Sequence, residues 1–150
     1  MNIIFYSKCM HGTGERLYNM IESLFLKKKM DVCRTPAELS LRLCQPLDNS
    51  LVVILVIADR EDLSNILSMR ILLQDTRTVL VLPDRQSEAL AGNLNPRHLA
   101  FADSEYLIVE IASVLKAMLE IIYLYKKEVV ISGWHNRIRR WMADKKIQLH

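Results

Sequence analysis

The feature that most constrains this chain is an uninterrupted apolar run near its middle, at residues 51–57, followed by Ala58 and Asp59. The run is rich in Val and Ile, and no polar residue alternates with the apolar ones. A strand with one solvated face would alternate, so both faces of this segment must be buried. A buried helix could give a similar run, but this one is short for a helix and its β-branched residues favour a strand. The run therefore predicts the central strand of a parallel sheet.

Strand-like and helix-like segments alternate five times along the chain. Apolar runs bounded by turn residues mark the strands, and apolar residues at spacings of three and four mark the helices. Because right-handed crossovers leave few topologies, the pattern predicts an α/β fold with a five-stranded parallel sheet, strand order 2-1-3-4-5, and helices on both faces. The strands are predicted at residues 2–7, 30–33, 51–58, 78–82 and 98–102, and the helices at 15–27, from 36 to before 46, and at 60–73, 87–94 and 105–125.

Polar residues at the predicted helix starts indicate N-caps, whose side chains accept a hydrogen bond from the first turn. Thr35 is the clearest case, because Pro36 fits the first turn and Glu38 completes a capping box. The other predicted caps are Thr13, Asp59 and Ser104.

Length and composition predict one domain over residues 1–125 and a basic C-terminal extension over 126–150. The chain has 150 residues, of which 51% are hydrophobic and 25% are charged, as in an ordinary globular protein. The extension holds seven Lys and Arg against two acidic residues, so it carries more than the whole net charge of +3. The three cysteines and four histidines lack metal-site spacing. With no export signal at the start, we expect reduced thiols, a cytoplasmic protein, and neither metal nor cofactor.

The order and spacing of the strand–helix units over residues 1–125 resemble the receiver domains of bacterial two-component response regulators. The resemblance implies a flavodoxin-like fold. In that family an aspartate that ends the third strand accepts a phosphoryl group, and an acidic pair after the first strand binds Mg²⁺. Here residues 6–9 contain no acidic pair, and the acceptor position falls near Leu55 or Val56.

The later strand ends also depart from the receiver pattern. Pro83 and Asp84 follow the fourth strand where the family has a hydroxyl, and Ala102, Asp103 and Ser104 stand where the family has Lys-Pro. Without carboxylates to hold Mg²⁺, phosphoryl transfer loses its main charge stabilisation. The resemblance therefore implies a pseudo-receiver, which keeps the fold and is not an enzyme.

Three aspartates are expected near the carboxyl edge of the sheet, at Asp59, Asp84 and Asp103. One interpretation is a degenerate acidic site that could hold a divalent cation. The other is that each carboxylate caps the helix that follows it and complements the helix dipole. The sequence leaves both interpretations open.

The first loop carries a second resemblance. Residues 3–7 followed by 11–15 are similar to the phosphate loop of flavodoxins, where a hydroxyl-rich turn at a helix N-terminus holds the FMN phosphate. The hydroxyls usual in that loop are missing from residues 8–10. The turn is therefore either an anion-binding site or a glycine-rich turn with a capped helix. The candidate anion-binding residues are Gly12, Thr13 and Gly14.

The last predicted helix and the tail indicate an assembly surface. Between residues 106 and 125 the polar residues form one narrow stripe, so most of the circumference is apolar. Such a helix must meet a surface besides its own sheet, and receiver-like domains often dimerise through this helix. Residues 134–149 are then predicted to form a basic amphipathic helix that could pack on a second subunit, lie on an acidic membrane or touch nucleic acid. The predicted interface residues are Leu115, Met118, Leu119, Ile122, Trp134, Ile138 and Trp141.

Together these features predict a non-phosphorylatable signalling or scaffolding module that acts by protein–protein interaction and homodimerisation. Two alternatives stay open. One is a domain that binds a small anion or nucleotide through the turn at residues 12–15. The other is a DNA-associated regulator that uses the basic tail.

Overall fold

The computed structural model describes residues 2–25, 29–47 and 51–118. These residues form a five-stranded sheet in spatial order β2-β1-β3-β4-β5, and every neighbouring pair of strands is parallel. The predicted fold class and strand order are therefore confirmed. The strands are β1 (Asn2–Ser7), β2 (Lys29–Cys33), β3 (Val52–Val56), β4 (Arg77–Leu82) and β5 (His98–Phe101).

Helical segments connect the strands. Residues 107–118, called the last helix below, are also helical. The chain divides into two compact units, Met1–Val114 and Leu115–His150. The predicted domain boundary at 125/126 lies outside the described residues. The other helical segments are α1 (Thr13–Leu24), α2 (Pro36–Leu43), α3 (Arg60–Ser68), α4 (Arg70–Leu73) and a 3₁₀ helix (Arg85–Leu94).

The central strand is β3, and all of its residues are buried, as the unbroken apolar run predicts. Val53 and Leu55 belong to a core cluster that also contains Leu63 of α3. On the opposite face of the sheet, the ring of Phe5 packs edge-on against Tyr18 of α1, with centroids 6.1 Å apart. Helices therefore cover both faces, and burial of the apolar strand side chains is the main stabilising contribution to the fold.

The start of α2 follows its sequence signals closely. Thr35 is the N-cap, its hydroxyl accepts the N–H of Glu38 at 3.1 Å, and Pro36 is the first helical residue. The Glu38 carboxylate accepts the N–H of Arg34 at 2.8 Å, one residue before the position expected in a capping box. The local chemistry of this helix was therefore predictable from adjacent residues.

Two predicted helix starts need correction. Thr13 is not a cap: α1 begins at Thr13, and its N-cap is Gly12, which has φ of +62° and makes no side-chain cap bond. A positive φ favours glycine, so the backbone at Gly12 sets the start of this helix. Ser104 does accept the N–H of Tyr106, at 3.3 Å, but residues 105 and 106 form a turn and the helix begins at 107.

The helix predicted over residues 60–73 is also wrong as one element. It divides into α3 and α4 at Met69, whose backbone leaves the helical region with φ of −108° and ψ of 20°. The hydroxyl of Ser68 donates to the carbonyl of Asn65 at 2.6 Å. Hydroxyl bonds of this kind compete with backbone hydrogen bonds and bend helices, which accounts for a break at this point.

Candidate functional site

The candidate site is a cavity of about 360 Å³ at the carboxyl edge of the sheet, called the carboxyl-edge cavity below. Its lining comes from the segments that follow β1, β3, β4 and β5. The chain leaves β1 toward β2 on one side, whereas β3 begins the other half of the sheet, so the cavity lies at a topological switch point. In open α/β sheets this is the crevice in which ligands bind.

The first loop is fixed by a close packing of backbone and side chain. Ser7, the last residue of β1, is 2% exposed, and its hydroxyl donates to the carbonyl of Cys9 at 2.6 Å. Gly14 in the first turn of α1 lies directly against both groups, and a Cβ added there would overlap the Ser7 hydroxyl and the Cys9 carbonyl. Position 14 therefore requires glycine, because the helix backbone there lies against the Ser7 hydroxyl and the Cys9 carbonyl.

A buried polar pair lies beside this loop. Tyr6 is 0% exposed and Asp62 is 1% exposed, and the Tyr6 hydroxyl donates to Oδ1 of Asp62. The other carboxylate oxygen accepts the N–H of Ala58 at 2.9 Å. Burial, and then the hydrogen bond and charge of Asp62, raise the pKa of Tyr6 above its ordinary value. Tyr6 therefore stays protonated and keeps Asp62 satisfied as an acceptor.

The positions that carry phosphotransfer chemistry in receivers are neutral in this chain. Ser7 is paired in register with Val56, so the ends of β1 and β3 stand side by side. Leu55 and Val56, the predicted acceptor positions, are 0% and 6% exposed. The carboxylates of Asp59 and Asp62, which follow β3 in the chain, already accept hydrogen bonds at the start of α3. The ends of β1 and β3, where receivers hold Mg²⁺ and accept the phosphoryl group, thus carry no carboxylate.

The cap interpretation is confirmed for two of the three aspartates. Oδ1 of Asp59 accepts the N–H of Asp62 at 2.8 Å. Oδ1 of Asp84 accepts both the N–H and the hydroxyl of Ser87 at 3.1 Å. Asp103 instead lines the carboxyl-edge cavity. Across residues 2–25, 29–47 and 51–118, no three carboxylate, thiol or imidazole groups come together as a metal-binding cluster.

The contribution of the Asp59 cap to the free energy of unfolding can be measured. Asp59→Ala is expected to lower the free energy of unfolding by about 1 kcal/mol, because it removes the acceptor for the first turn of α3. The Asp59 carboxylate also lies 3.8 Å from the Lys8 ammonium, but both side chains are about half exposed, and exposed pairs contribute roughly 0–1 kcal/mol. Asp59→Asn keeps the cap and loses the ion pair, so urea unfolding should place it near the wild type. Equal losses for both variants would show that the ion pair matters more than the cap.

The predicted anion-binding turn lies partly at the cavity. Thr13 and Gly14 line it, and helix α1 begins there without a side-chain acceptor for its first N–H groups. Gly12 sets the entry to the helix through its positive φ. Anion binding by this turn stays a prediction.

Most of the predicted dimer interface lies outside the described residues. Leu115 is fully buried, and by its spacing it shares the helix face of the buried residues Leu107 and Ile111. Met118 is partly buried. The interface prediction as a whole stays a prediction. Leu119, Ile122, Trp134, Ile138 and Trp141 are its members beyond residue 118.

The structure shows an exposed apolar surface that the sequence reading did not single out. Tyr106, in the turn just before the last helix, and Val109, in its first turn, are 73% and 68% exposed. Nearby, Oε2 of Glu110 lies 2.6 Å from Nε2 of His98, which ties the last helix to the edge strand β5. The signal was present in the sequence, because Tyr106 and Val109 border the polar stripe. None of the helices in the described residues is both long enough and apolar enough to cross a bilayer.

Comparison with known proteins supports the fold and goes no further. No protein-family model matches the chain, and no curated protein matches it. Among solved structures, the chain is similar to one described as an adenylate cyclase from Rhodopirellula baltica. The two share 12% identity over 86% of this chain and 96% of that chain, with a TM-score of 0.58. A likeness at this level is consistent with a flavodoxin-like or receiver fold, and fold similarity does not carry function with it.

Proposed function

We propose that the protein is a receiver-like signalling or scaffolding module of the cytoplasm that performs no phosphotransfer and acts by contact with proteins, including a second copy of itself. The observation that carries this proposal is the neutral pairing of Ser7 with Val56 at the carboxyl ends of β1 and β3. A receiver needs carboxylates at these ends to hold Mg²⁺ and accept the phosphoryl group. Here both side chains are buried and uncharged.

The buried pair of Tyr6 and Asp62 supports the same proposal. A carboxylate beside the first strand could in principle bind a cation, as a hard oxygen ligand. Asp62 instead accepts one hydrogen bond from Tyr6 and another from the backbone of Ala58, and it is cut off from solvent. The Asp62 carboxylate therefore has partners within the fold and is not available to a cation or a phosphoryl group.

Protein contact is supported by the surface of the last helix. Exposed aromatic and aliphatic residues are enriched where proteins meet, since they bury apolar area at little cost in conformational entropy. Tyr106, just before the last helix, and Val109, in its first turn, form such an exposed pair. The tryptophans of the basic tail, Trp134 and Trp141, add candidate anchors for the same assembly.

Phosphoryl transfer gives the first test. The 150-residue chain incubated with acetyl phosphate and Mg²⁺ should show no added phosphoryl group by intact mass spectrometry, because the ends of β1 and β3 lack the Mg²⁺-binding and acceptor carboxylates. An active receiver domain treated in parallel serves as the positive control. Stoichiometric phosphorylation that Asp59→Asn abolishes would identify Asp59 as an acceptor and contradict the proposal.

Assembly gives the second test. Light scattering of the full chain, which has a mass of 17.4 kDa, is expected to show a dimer. Replacing both Trp134 and Trp141 with alanine should shift the population to the monomer, because large aromatic anchors dominate interface energies. Leu41→Ser is the matched control, since Leu41 is an apolar residue 70% exposed on α2 and is not among the proposed interface residues. A monomeric wild-type chain would refute homodimerisation.

A further inference from the structure

The carboxyl-edge cavity has the size and position of a small-molecule site, independently of any protein contact. Its volume of about 360 Å³ falls in the lower part of the range of roughly 300–1,000 Å³ that such sites occupy. The ends of four of the five strands contribute to it, so rigid elements position its lining. Such convergence at a topological switch point is where α/β sheets bind ligands.

One part of the lining is apolar. It comes from the ends of β3 and β4 and from the residue that follows β5, and it offers no hydrogen-bonding side chain. A planar ring fits such a surface better than a small polar ion does. The apolar residues are Val56, Ile57, Ala58, Pro83 and Ala102.

The remainder of the lining is polar and includes groups that the fold does not use. His11 and Thr13 come from the first loop and the start of α1, and Asp103 comes from the segment after β5. Within the described part of the chain, none of these three side chains has a hydrogen bond or ion pair. Asp59 and Asp84, by contrast, are both occupied as helix caps. The cavity therefore presents unused donors in the first loop and an unused carboxylate after β5.

A second, larger opening does not have this character. It has a volume of about 570 Å³ and lies along the edge strand β2 and helix α2. Its charged groups are largely occupied: Arg42 lies 2.8 Å from Asp31, and Glu38 accepts a backbone N–H. This opening runs beside a structural ion pair and a helix cap at the edge of the sheet, whereas the smaller cavity lies at the switch point.

We propose that the carboxyl-edge cavity binds a nucleoside monophosphate. The phosphate would be met by Thr13 and His11 and by the unbonded N–H groups at the start of α1. Asp103 would accept hydrogen bonds from the ribose hydroxyls, since an ionised carboxylate is an acceptor only. The apolar surface, with Pro83 and Ala102, would hold the base. The proposal goes beyond protein contact and does not depend on it.

Isothermal titration calorimetry on the 150-residue chain tests this binding. The probes are AMP and CMP, with adenosine and inorganic phosphate as the two halves of the ligand. At least one nucleotide should bind about tenfold or more tightly than either half, because phosphate, ribose and base contacts contribute together. Backbone amide shifts of Gly14 and Ala102 on nucleotide addition would locate the site.

Substitutions separate this site from non-specific binding. Asp103→Asn and His11→Ala are each expected to weaken nucleotide binding about tenfold, the loss of one charge-assisted hydrogen bond. Asp103→Asn should leave the affinity for inorganic phosphate unchanged. The matched control is Asp75→Asn, which removes an exposed carboxylate from the turn before β4, at the opposite edge of the sheet.

Three results would overturn the proposal. The first is that neither nucleotide binds. The second is that phosphate alone binds as tightly as the nucleotides, which would leave a simple anion site. The third is that Asp103→Asn binds like Asp75→Asn. None of these results changes the outcome of the phosphorylation and light-scattering tests, so the two proposals fail separately.

Discussion

Replacing Gly14 with alanine is expected to destabilise the protein by about 2 kcal/mol or more, the largest effect we predict for adding a single methyl group. The new Cβ would overlap the carbonyl of Cys9 and the hydroxyl of Ser7. Neither neighbour is a flexible side-chain end: the carbonyl belongs to the backbone, and Ser7 is buried and hydrogen-bonded. Relief therefore requires the loop between β1 and α1 to move, and overpacking of this kind typically costs about 1–3 kcal/mol. Urea unfolding followed by circular dichroism measures the change.

Gly92→Ala is the matched control for this prediction. Gly92 lies in the 3₁₀ helix, and an added Cβ there meets no atom within 4 Å. Because alanine restricts the unfolded chain more than glycine does, this variant is expected to be neutral or to gain about 0.4–1 kcal/mol. If Gly14→Ala matched Gly92→Ala in stability, the close packing of the first loop would be disproved.

The loop between β1 and α1 was predicted only in part from the sequence. The glycines at 12 and 14 predicted a break between strand and helix, and the break is present. Their separate reasons were hidden, because Gly12 is required by its positive φ and Gly14 by its approach to Ser7. Backbone angles and contacts between loop and helix depend on the folded structure. They cannot be inferred from the pattern of residue types along the sequence.

Signals between adjacent residues were the most reliable. The apolar run at 51–57 predicted the central strand correctly, because a strand without polar residues must be buried on both faces. Thr35, Asp59 and Asp84 cap their helices, because the cap and the N–H it accepts are three residues apart. The division between α3 and α4 was not predicted. A hydrogen bond from a hydroxyl to a carbonyl within a helix does not change the spacing of the apolar residues.

The pair of Tyr6 and Asp62 was missed because its partners are far apart in sequence. An aspartate in the first turn of a helix is typical of a solvated residue that complements the dipole. Here Asp62 is 1% exposed and faces Tyr6 across 56 positions of sequence. The spacing of Asp59 and Asp62 resembles a reciprocal cap, and that was the one local signal that could have pointed to a second role.

Tyr6→Phe is expected to lower the free energy of unfolding by about 2–3 kcal/mol. The substitution keeps the ring and removes only the hydroxyl, so the Asp62 carboxylate stays buried with the N–H of Ala58 as its remaining donor. A hydrogen bond to a charged group contributes about 1.5–3 kcal/mol, and a buried charge left short of partners adds to the cost. A double-mutant cycle with Asp62→Ala should give a coupling free energy above about 1 kcal/mol, as expected for residues in direct contact. Additive losses would mean that the two side chains do not interact.

The same pair predicts how stability depends on alkaline pH. Burial first, then the hydrogen bond and charge of Asp62, raise the folded-state pKa of Tyr6 above the unfolded value of about 10. The stabilising contribution of protonated Tyr6 is therefore complete below about pH 10, and it is lost as the pH rises from there toward the folded-state pKa. Wild-type protein should lose stability steeply in this window, and Tyr6→Phe should lose that part of the slope.

Tyr18→Phe provides the control for the alkaline prediction. The Glu22 carboxylate, and secondarily burial, also raise the pKa of Tyr18. This tyrosine, on α1, therefore contributes independently to the loss of stability at alkaline pH. Tyr18→Phe should keep the part of the slope that belongs to Tyr6, because its ring contact with Phe5 does not touch the Tyr6 hydroxyl. Urea unfolding from pH 8 to about pH 11 measures both variants. An alkaline slope in Tyr6→Phe as steep as that of the wild type would show that Asp62 does not hold this hydroxyl protonated.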